Sequence, residues 1–151
     1  PPPRPAPAGV PCRELEVNVE EMFFLRDNHL VFPTAAREKM VQQGDNCTLD
    51  FYVYSNRPLD DLLIEPNVPK LTLKLKATEP QLAVGGKPVK IGWKSNSEAE
   101  FKEIPLKQGW NKLTLTIPAK CKNGFEAHFK CDNRAEYMPT LKAAFVNPEG
   151  K

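Results

Sequence analysis

One turn followed by one strand constrains the fold of this chain more than any other feature. The segment reads KQGWNKLTLTIP, and Gly109 predicts a turn that needs a positive φ. Leu113, Leu115 and Ile117 then alternate with polar side chains, which is the pattern of a strand with one buried face. Pro118 has no N–H group to donate and ends the strand. The segment therefore predicts one wall of a two-sheet protein whose outer face meets water.

The same alternation recurs along the chain. Gly85-Gly86 predicts a hairpin turn, and Asp27-Asn28 predicts a turn between two short strands within residues 22–33. Further strands are predicted at residues 12–21, 48–54, 70–76, 82–84, 88–91, 125–131 and 140–146. Short strands separated by turns, with no alternation of strands and helices, indicate an all-β fold. We predict an antiparallel two-sheet β-sandwich of the jelly-roll type.

Only one patch favours a helix. Residues 34–43 contain good helix formers; Thr34 is suited to cap the helix and Gly44 to end it. The patch predicts two or three turns, so the fold holds at most one short helix. Residues 95–100 are polar and predict a loop.

Composition divides the chain into two parts. Residues 1–11 are nearly all Pro, Ala, Gly and Arg, which favours extended polyproline II and cannot build a core. We interpret them as a Pro-rich linker, with a proline-motif ligand as the alternative, and residues 12–151 as one β-sandwich module. We expect the module to belong to a larger exported protein and to meet neighbouring domains of that parent chain.

Charge and hydropathy argue against two classes of partner. The formal net charge is +2, and no recognisable nucleic-acid-binding motif accompanies it, so we expect no nucleic-acid ligand. No apolar run approaches the ~18 residues that predict a membrane span.

Four cysteines leave the redox state open. Cys12, Cys47, Cys121 and Cys131 fit no zinc-binding spacing. A disulfide between Cys121 and Cys131 fits a hairpin and would leave Cys12 and Cys47 as the second pair; the two other connectivities, and free buried thiols, stay open. The extracellular or periplasmic location that we predict rests partly on disulfides. The sequon Asn46-Cys47-Thr48 carries meaning only in a secreted eukaryotic chain.

Two segments carry a family resemblance. VGGKPV at residues 84–89 and IPLKQGWNKL at residues 104–113 resemble the hairpin and the later strand of jelly-roll modules in the galactose-binding-domain-like superfamily. Gly85 stands where those modules usually have Asn. The resemblance implies a jelly roll, with Trp110 packed beside the Gly109 turn. Many such modules are attached to glycoside hydrolases; some bind carbohydrate, and others are adhesion or structural domains.

Catalytic signatures are missing from the sequence. His29 and His128 are the only histidines, and neither a G-x-S-x-G nor an H-E-x-x-H motif occurs. The adjacent carboxylates at 20–21 and 60–61 would point to opposite faces of a strand, which suits no acid/base pair. We therefore predict no enzyme, although a carboxylate pair from distant strands stays open. No cofactor is predicted. Loop aspartates Asp27, Asp45 and Asp132 suggest a structural calcium ion, without diagnostic spacing.

Aromatic side chains beside polar groups are the candidate ligand-binding residues. Sugars stack on flat rings and hydrogen-bond to neighbouring polar groups. Tyr52 and Tyr54 share the outward face of one strand, although a loop covering them is an equal alternative. Trp93 opens a polar loop, yet it shares its parity with Val89 and Ile91 and so fits the core as well. The predicted ligand-binding residues are Tyr52, Tyr54, Arg57, Trp93, Arg134 and Tyr137.

These observations predict a non-catalytic carbohydrate-binding module that holds a polysaccharide by aromatic stacking and polar loop contacts. The alternative is a structural or protein–protein interaction β-sandwich without a glycan ligand. The lysine stripe Lys70, Lys74 and Lys76 would suit an anionic polymer, or is a solvated face that protects a strand edge.

Overall fold

A computed structural model describes residues 29–59, 70–131 and 140–148. The described part forms two antiparallel sheets, and the chain passes from one sheet to the other several times. The prediction of an antiparallel two-sheet β-sandwich is confirmed. The strand predicted at residues 12–21 and the turn at Asp27-Asn28 lie outside the described residues.

The elements follow one another along the chain with short connections. The strands are β1 (His29–Val31), β2 (Val41–Gln43), β3 (Asn46–Ser55), β4 (Leu71–Leu75), β5 (Gln81–Val84), β6 (Lys87–Val89), β7 (Ile91–Lys94), β8 (Ala99–Phe101), β9 (Gly109–Pro118), β10 (Ala127–Cys131) and β11 (Leu141–Ala144). The helical elements described are α1 (Ala36–Lys39) and a single 3₁₀ turn (Ala119–Cys121).

The two sheets have different strand orders. The first sheet runs β1-β10-β4-β8-β7, and the second runs β11-β3-β9-β5-β6, with β2 added beside the start of β3. The central pair of the second sheet, β3 and β9, is in register from Asn46 opposite Pro118 to Ser55 opposite Gly109. This long pairing forms the centre of the second sheet.

Aromatic side chains join the two sheets through the core. Phe51 from the second sheet and Phe129 from the first are both fully buried, and their ring centroids lie 6.2 Å apart. Phe32 packs edge-on against Phe51 at 5.1 Å and lies 5.8 Å from Phe129. Burial of a Phe, Leu or Ile side chain contributes about 1.5–3 kcal/mol each before chain entropy is subtracted, so this contact stabilises the sandwich strongly.

The Gly109 turn and β9, which follows it, lie at the centre of the second sheet. Gly109 has φ of +99°, and Leu113, Leu115 and Ile117 are buried as predicted. The hairpin at Gly85-Gly86 is also confirmed, because both glycines have positive φ and join β5 to β6. The strands predicted at 48–54, 70–76, 125–131 and 140–146 correspond to β3, β4, β10 and β11.

The helix prediction is wrong over most of its length. Only α1 is helical; Met40 is extended, and Val41 begins β2, which pairs with β3. Thr34 makes no side-chain cap, since Ala35 holds the cap position without a side-chain hydrogen bond. One helical turn has too few internal hydrogen bonds to persist alone, and pairing with β3 overrides helix propensity beyond it.

The disulfide between Cys121 and Cys131, one of the alternatives that the sequence left open, does not form. Cys121 is a half-buried free thiol whose Sγ lies 3.5 Å from the hydroxyl of Thr78, while Cys131 is buried in β10. Cys47 is a buried free thiol in β3, and Cys12 lies outside the described residues.

Candidate functional site

A row of five side chains crosses the outer face of the first sheet. Antiparallel register places Val31 opposite His128, His128 opposite Lys74, Lys74 opposite Glu100, and Glu100 opposite Trp93. Five strands at a spacing of about 4.8 Å make this row roughly 19 Å long. An apolar side chain therefore stands at each end of the row, with charged or polar groups between them.

A bulge in β7 turns Trp93 toward solvent. Ile91 pairs with Phe101 and Trp93 with Glu100, so β7 advances two residues while β8 advances one, and Gly92 is the extra residue. The bulge reverses the parity by which Ile91 and Trp93 would share a face. Ile91 packs against the core, whereas Trp93 is 45% exposed. The interpretation of Trp93 as a core residue is therefore wrong.

The row forms the floor of an open groove of about 440 Å³. We call it the Trp93 groove; its lining residues are Val31, Phe32, Thr34, Arg37, Lys74, Leu75, Lys76, Trp93, Glu98, Ala99, Glu100, Phe125, Glu126, Ala127 and His128. These residues come from the ends of β1, β4 and β7 and the starts of β8 and β10, which antiparallel pairing brings to one end of the sheet. The segment around α1 contributes Thr34 and Arg37.

Three basic and three acidic side chains line the groove, and two ion pairs join four of them. The Nζ of Lys74 lies 3.6 Å from a carboxylate oxygen of Glu100, and Lys76 lies 3.3 Å from Glu126. The Arg37 guanidinium donates from Nε to the Phe125 carbonyl at 3.0 Å, which fixes its position beside the groove. The groove thus offers donors and acceptors in about equal number, with little net charge.

The predicted tyrosine pair lies on the other side of the molecule. Tyr52 and Tyr54 project from β3 on the outer face of the second sheet, where both are half-buried. The Tyr54 ring contacts the Trp110 ring, with centroids 5.5 Å apart and planes inclined by 60°, and the ammonium of Lys142 lies 5.5 Å from its centroid. Because the outer faces of the two sheets point in opposite directions, one short ligand cannot contact both Tyr52 and Trp93.

Arg57 is the other predicted ligand-binding residue that the structure describes, and it does not line the groove. Arg57 is half-buried in the loop after β3, where the buried Ser55 hydroxyl donates to its carbonyl at 2.6 Å. Arg134 and Tyr137 lie outside the described residues. Of the four predicted residues within the described ranges, Trp93 alone lies in the groove.

The three polar residues of the row, Lys74, Glu100 and His128, are not among the predicted ligand-binding residues. Glu100 was assigned to a polar loop over residues 95–100, but it lies in β8, and the turn before it runs only from Ser95 to Glu98. His128 and Lys74 lie in strands that the sequence predicts, at positions that alternate with buried residues. The information that the sequence lacks is the strand order that makes them neighbours of Glu100.

The lysine stripe does not form a free positive surface. Each of its members approaches a carboxylate: Lys70 lies 3.9 Å from Glu103, in addition to the pairs of Lys74 and Lys76 within the groove. Such exposed pairs contribute little to stability, but three carboxylates beside three lysines leave this face little net charge with which to attract an anionic polymer.

Neither a metal-binding cluster nor a membrane-spanning helix occurs in the part of the chain that the structure describes. Residues 29–59, 70–131 and 140–148 contain no cluster of three or more His, Cys, Asp or Glu side chains that could hold a metal ion. Asp27 and Asp132, two of the three suggested calcium ligands, lie outside these ranges. Within the same ranges no helix has the length and apolar character that crossing a membrane requires.

Comparison with protein-family models, with curated proteins and with solved structures finds no match to this chain. The resemblance to galactose-binding-domain-like modules therefore stays a prediction that rests on its two segments.

Proposed function

We propose that this domain is a non-catalytic carbohydrate-binding module and that the Trp93 groove holds an uncharged polysaccharide. The observation that carries the proposal is the half-exposed indole of Trp93 at one end of a polar row that crosses the whole sheet. A flat aromatic ring next to hydrogen-bonding side chains is the combination that sugar rings need, since they present C–H faces and hydroxyl edges.

The dimensions and charge of the groove support a chain of sugars over a single one. The row is roughly 19 Å long, and all five of its side chains line the groove. The pairs Lys74–Glu100 and Lys76–Glu126 can exchange their mutual contacts for sugar hydroxyls without leaving a net charge. This balance favours a neutral glycan over an acidic one.

A structural or protein-interaction domain is the second candidate, and one observation favours it. The Tyr54 ring contacts Trp110 and Lys142 within the chain, as expected if the tyrosine face serves packing and not ligand stacking. This observation weakens the tyrosine face as a glycan site, but it leaves the Trp93 groove untouched.

The test is affinity electrophoresis of the isolated domain through gels that contain neutral polysaccharides, with Trp93→Ala, Trp93→Phe and Tyr52→Ala compared with the parent. We expect a neutral glycan to retard the parent and Tyr52→Ala equally. Truncation of a central aromatic contact costs about 2 kcal/mol or more, so Trp93→Ala should bind roughly 30-fold more weakly, and Trp93→Phe should recover part of the loss.

Each other outcome has a defined meaning. Loss of retardation in Tyr52→Ala alone would move the site to the tyrosine face and refute the groove. Absence of retardation by every neutral glycan would favour the structural or protein-interaction domain. Circular dichroism of each variant checks that the fold is retained.

A further inference from the structure

We infer that a second site, distinct from the Trp93 groove, binds sulfate or carboxylate groups on a polysaccharide. It is a pocket of about 660 Å³ beside the β5–β6 hairpin. Its charged lining residues are Lys87, Lys90, Lys102, Lys107, Lys112 and Glu103. We call it the basic pocket. None of its lysines belongs to the Trp93 groove or to the stripe considered from the sequence.

Most of the positive charge in the pocket is uncompensated. The carboxylate of Glu103, the one acidic group that lines it, lies 3.9 Å from the ammonium of Lys70 outside the pocket. Among the described residues, Lys87, Lys90 and Lys107 form no salt bridge with a carboxylate. At least three ammonium groups therefore face one concavity, where they raise the local concentration of anions.

Lys102 and Lys112 are only weakly compensated. Lys102 lies 3.9 Å from a carboxylate oxygen of Glu100, and Lys112 lies 3.9 Å from Asp50. Both lysines are about half exposed. Ion pairs at this distance and exposure are worth about 0–1 kcal/mol, so an anionic ligand can replace them at small cost.

The backbone beneath the pocket is fixed, so the lysines start from a defined frame. Ile104 and Leu106 are fully buried, which directs the intervening segment and Lys107 outward. Asn111 accepts a hydrogen bond from the Lys107 N–H at 2.9 Å and donates to its carbonyl at 3.0 Å. Gly85 donates its N–H to the Lys112 carbonyl at 2.9 Å, which ties the hairpin to β9.

The pocket also offers an apolar surface for a sugar ring. Trp110, Pro88, Val89 and Val84 line it together with the lysines. Trp110 is half-buried and contacts Tyr54 on the outer face of the second sheet. An indole beside several ammonium groups suits a ligand with both an apolar ring face and negative charge, which describes an acidic sugar better than an isolated inorganic anion.

This inference rests on the proposed function in one respect only, the choice of carbohydrate as ligand. The two sites differ in the salt dependence of binding and in the residues that binding needs. An experiment can therefore exclude one site without excluding the other. Between about 0.1 M and 1 M salt the Debye length falls from about 10 Å to about 3 Å, which weakens binding to the basic pocket and leaves stacking on Trp93 nearly unchanged.

The probe is dextran sulfate, with unmodified dextran as the neutral partner of the same backbone. The test variant Lys87→Gln/Lys90→Gln/Lys107→Gln removes three charges from the pocket. A second variant, Lys39→Gln/Lys120→Gln/Lys130→Gln, removes three charges from exposed positions outside both sites. Polygalacturonate tests carboxylate against sulfate, and duplex DNA tests whether any polyanion suffices.

We expect salt-sensitive binding of dextran sulfate or polygalacturonate to the parent, a loss of about tenfold in the pocket variant, and less than about twofold in the control. If the domain binds one of these two polymers more tightly, that polymer identifies the anionic group, sulfate or carboxylate, that the pocket prefers. Equal losses in both lysine variants, equal affinity for duplex DNA, or no binding of either acidic glycan would each overturn the inference. If Trp93→Ala lowers the affinity for dextran sulfate as much as the pocket variant does, the acidic glycan binds in the groove and the inference is overturned.

Discussion

Asn111 is expected to be the residue whose loss most damages the turn that organises the second sheet. It is one of two buried polar residues among those described, and only 8% of its surface is exposed. Its Oδ1 accepts from the Lys107 N–H at 2.9 Å, while its Nδ2 donates to the carbonyls of Lys107 at 3.0 Å, Gly109 at 3.1 Å and Val53 at 3.3 Å. One side chain thus holds both ends of the turn and ties it to β3.

The magnitude follows from counting the hydrogen bonds that Asn111→Ala would remove. The amide nitrogen has two hydrogens, so it can make two full hydrogen bonds to its three acceptors. With the bond that Oδ1 accepts, the side chain makes three hydrogen bonds. At about 1 kcal/mol net for each, with solvent able to reach the exposed Lys107, the free energy of unfolding should fall by about 2–4 kcal/mol. Urea denaturation measures it, with Gln108→Ala as the exposed control in the same turn. A loss below about 0.5 kcal/mol for Asn111→Ala would refute this reasoning.

Asn111→Asp separates hydrogen bonding from side-chain size and adds a dependence on pH. The carboxylate would keep the bond from the Lys107 N–H but would face three carbonyl oxygens, which raises the pKa of that carboxyl in the folded state. The pKa of an Asp carboxyl in the unfolded chain is about 3.9. Between that pH and the higher pKa of the folded state, the unfolded chain releases its proton more readily, so the variant loses stability as the pH rises. Asn111→Asp should therefore lie closer to the parent at pH 4 than at pH 7; a constant difference would contradict the expected contact.

Two other substitutions test the packing. A Cβ added by Gly92→Ala would lie 2.8 Å from Cγ of Lys102, so we expect a loss of about 1–2 kcal/mol and a shift of the β7 bulge, whereas Gly124→Ala, with nothing within 4 Å, should change stability by less than about 0.5 kcal/mol. Thermal unfolding that ranks the two alike would contradict the bulge. Phe129→Ala should lower the free energy of unfolding by about 3–5 kcal/mol because its ring is fully buried. Val41 is 58% exposed, so Val41→Ala should change it little. Similar denaturation midpoints for the two variants would contradict the assignment of the core.

Strands with strict alternation could be predicted from the sequence. In β3, β4, β9 and β10 the apolar residues occupy every second position, so their inward faces were assigned correctly from local pattern alone. The hairpin between β5 and β6 was also predictable, because two consecutive glycines provide the positive φ values that its turn needs.

The candidate site could not be predicted from the same pattern. Trp93 faces solvent because Gly92 is an extra residue in β7, and a bulge is invisible until the partner strand is known. Glu100, Lys74 and His128 become neighbours only through the strand order of the first sheet. The helix prediction failed for a related reason, since pairing with β3 determines the conformation of residues 41–43.

Asn111 had a signal that sequence reasoning overlooked. It shares its parity in β9 with Leu113, Leu115 and Ile117, all of which were assigned inward. A polar residue in line with three core residues is expected to be buried and hydrogen-bonded.

The most direct test of the Trp93 groove uses the fact that the chain contains two tryptophans. Trp110→Phe leaves Trp93 as the only fluorescent indole, and Trp93→Phe leaves Trp110. The account predicts that a neutral oligosaccharide, titrated at 1 M salt, shifts the emission of Trp110→Phe to shorter wavelength in a saturable way and leaves that of Trp93→Phe unchanged. A saturable shift in Trp93→Phe alone, or no shift in either variant with a glycan that retards the parent domain, would contradict it.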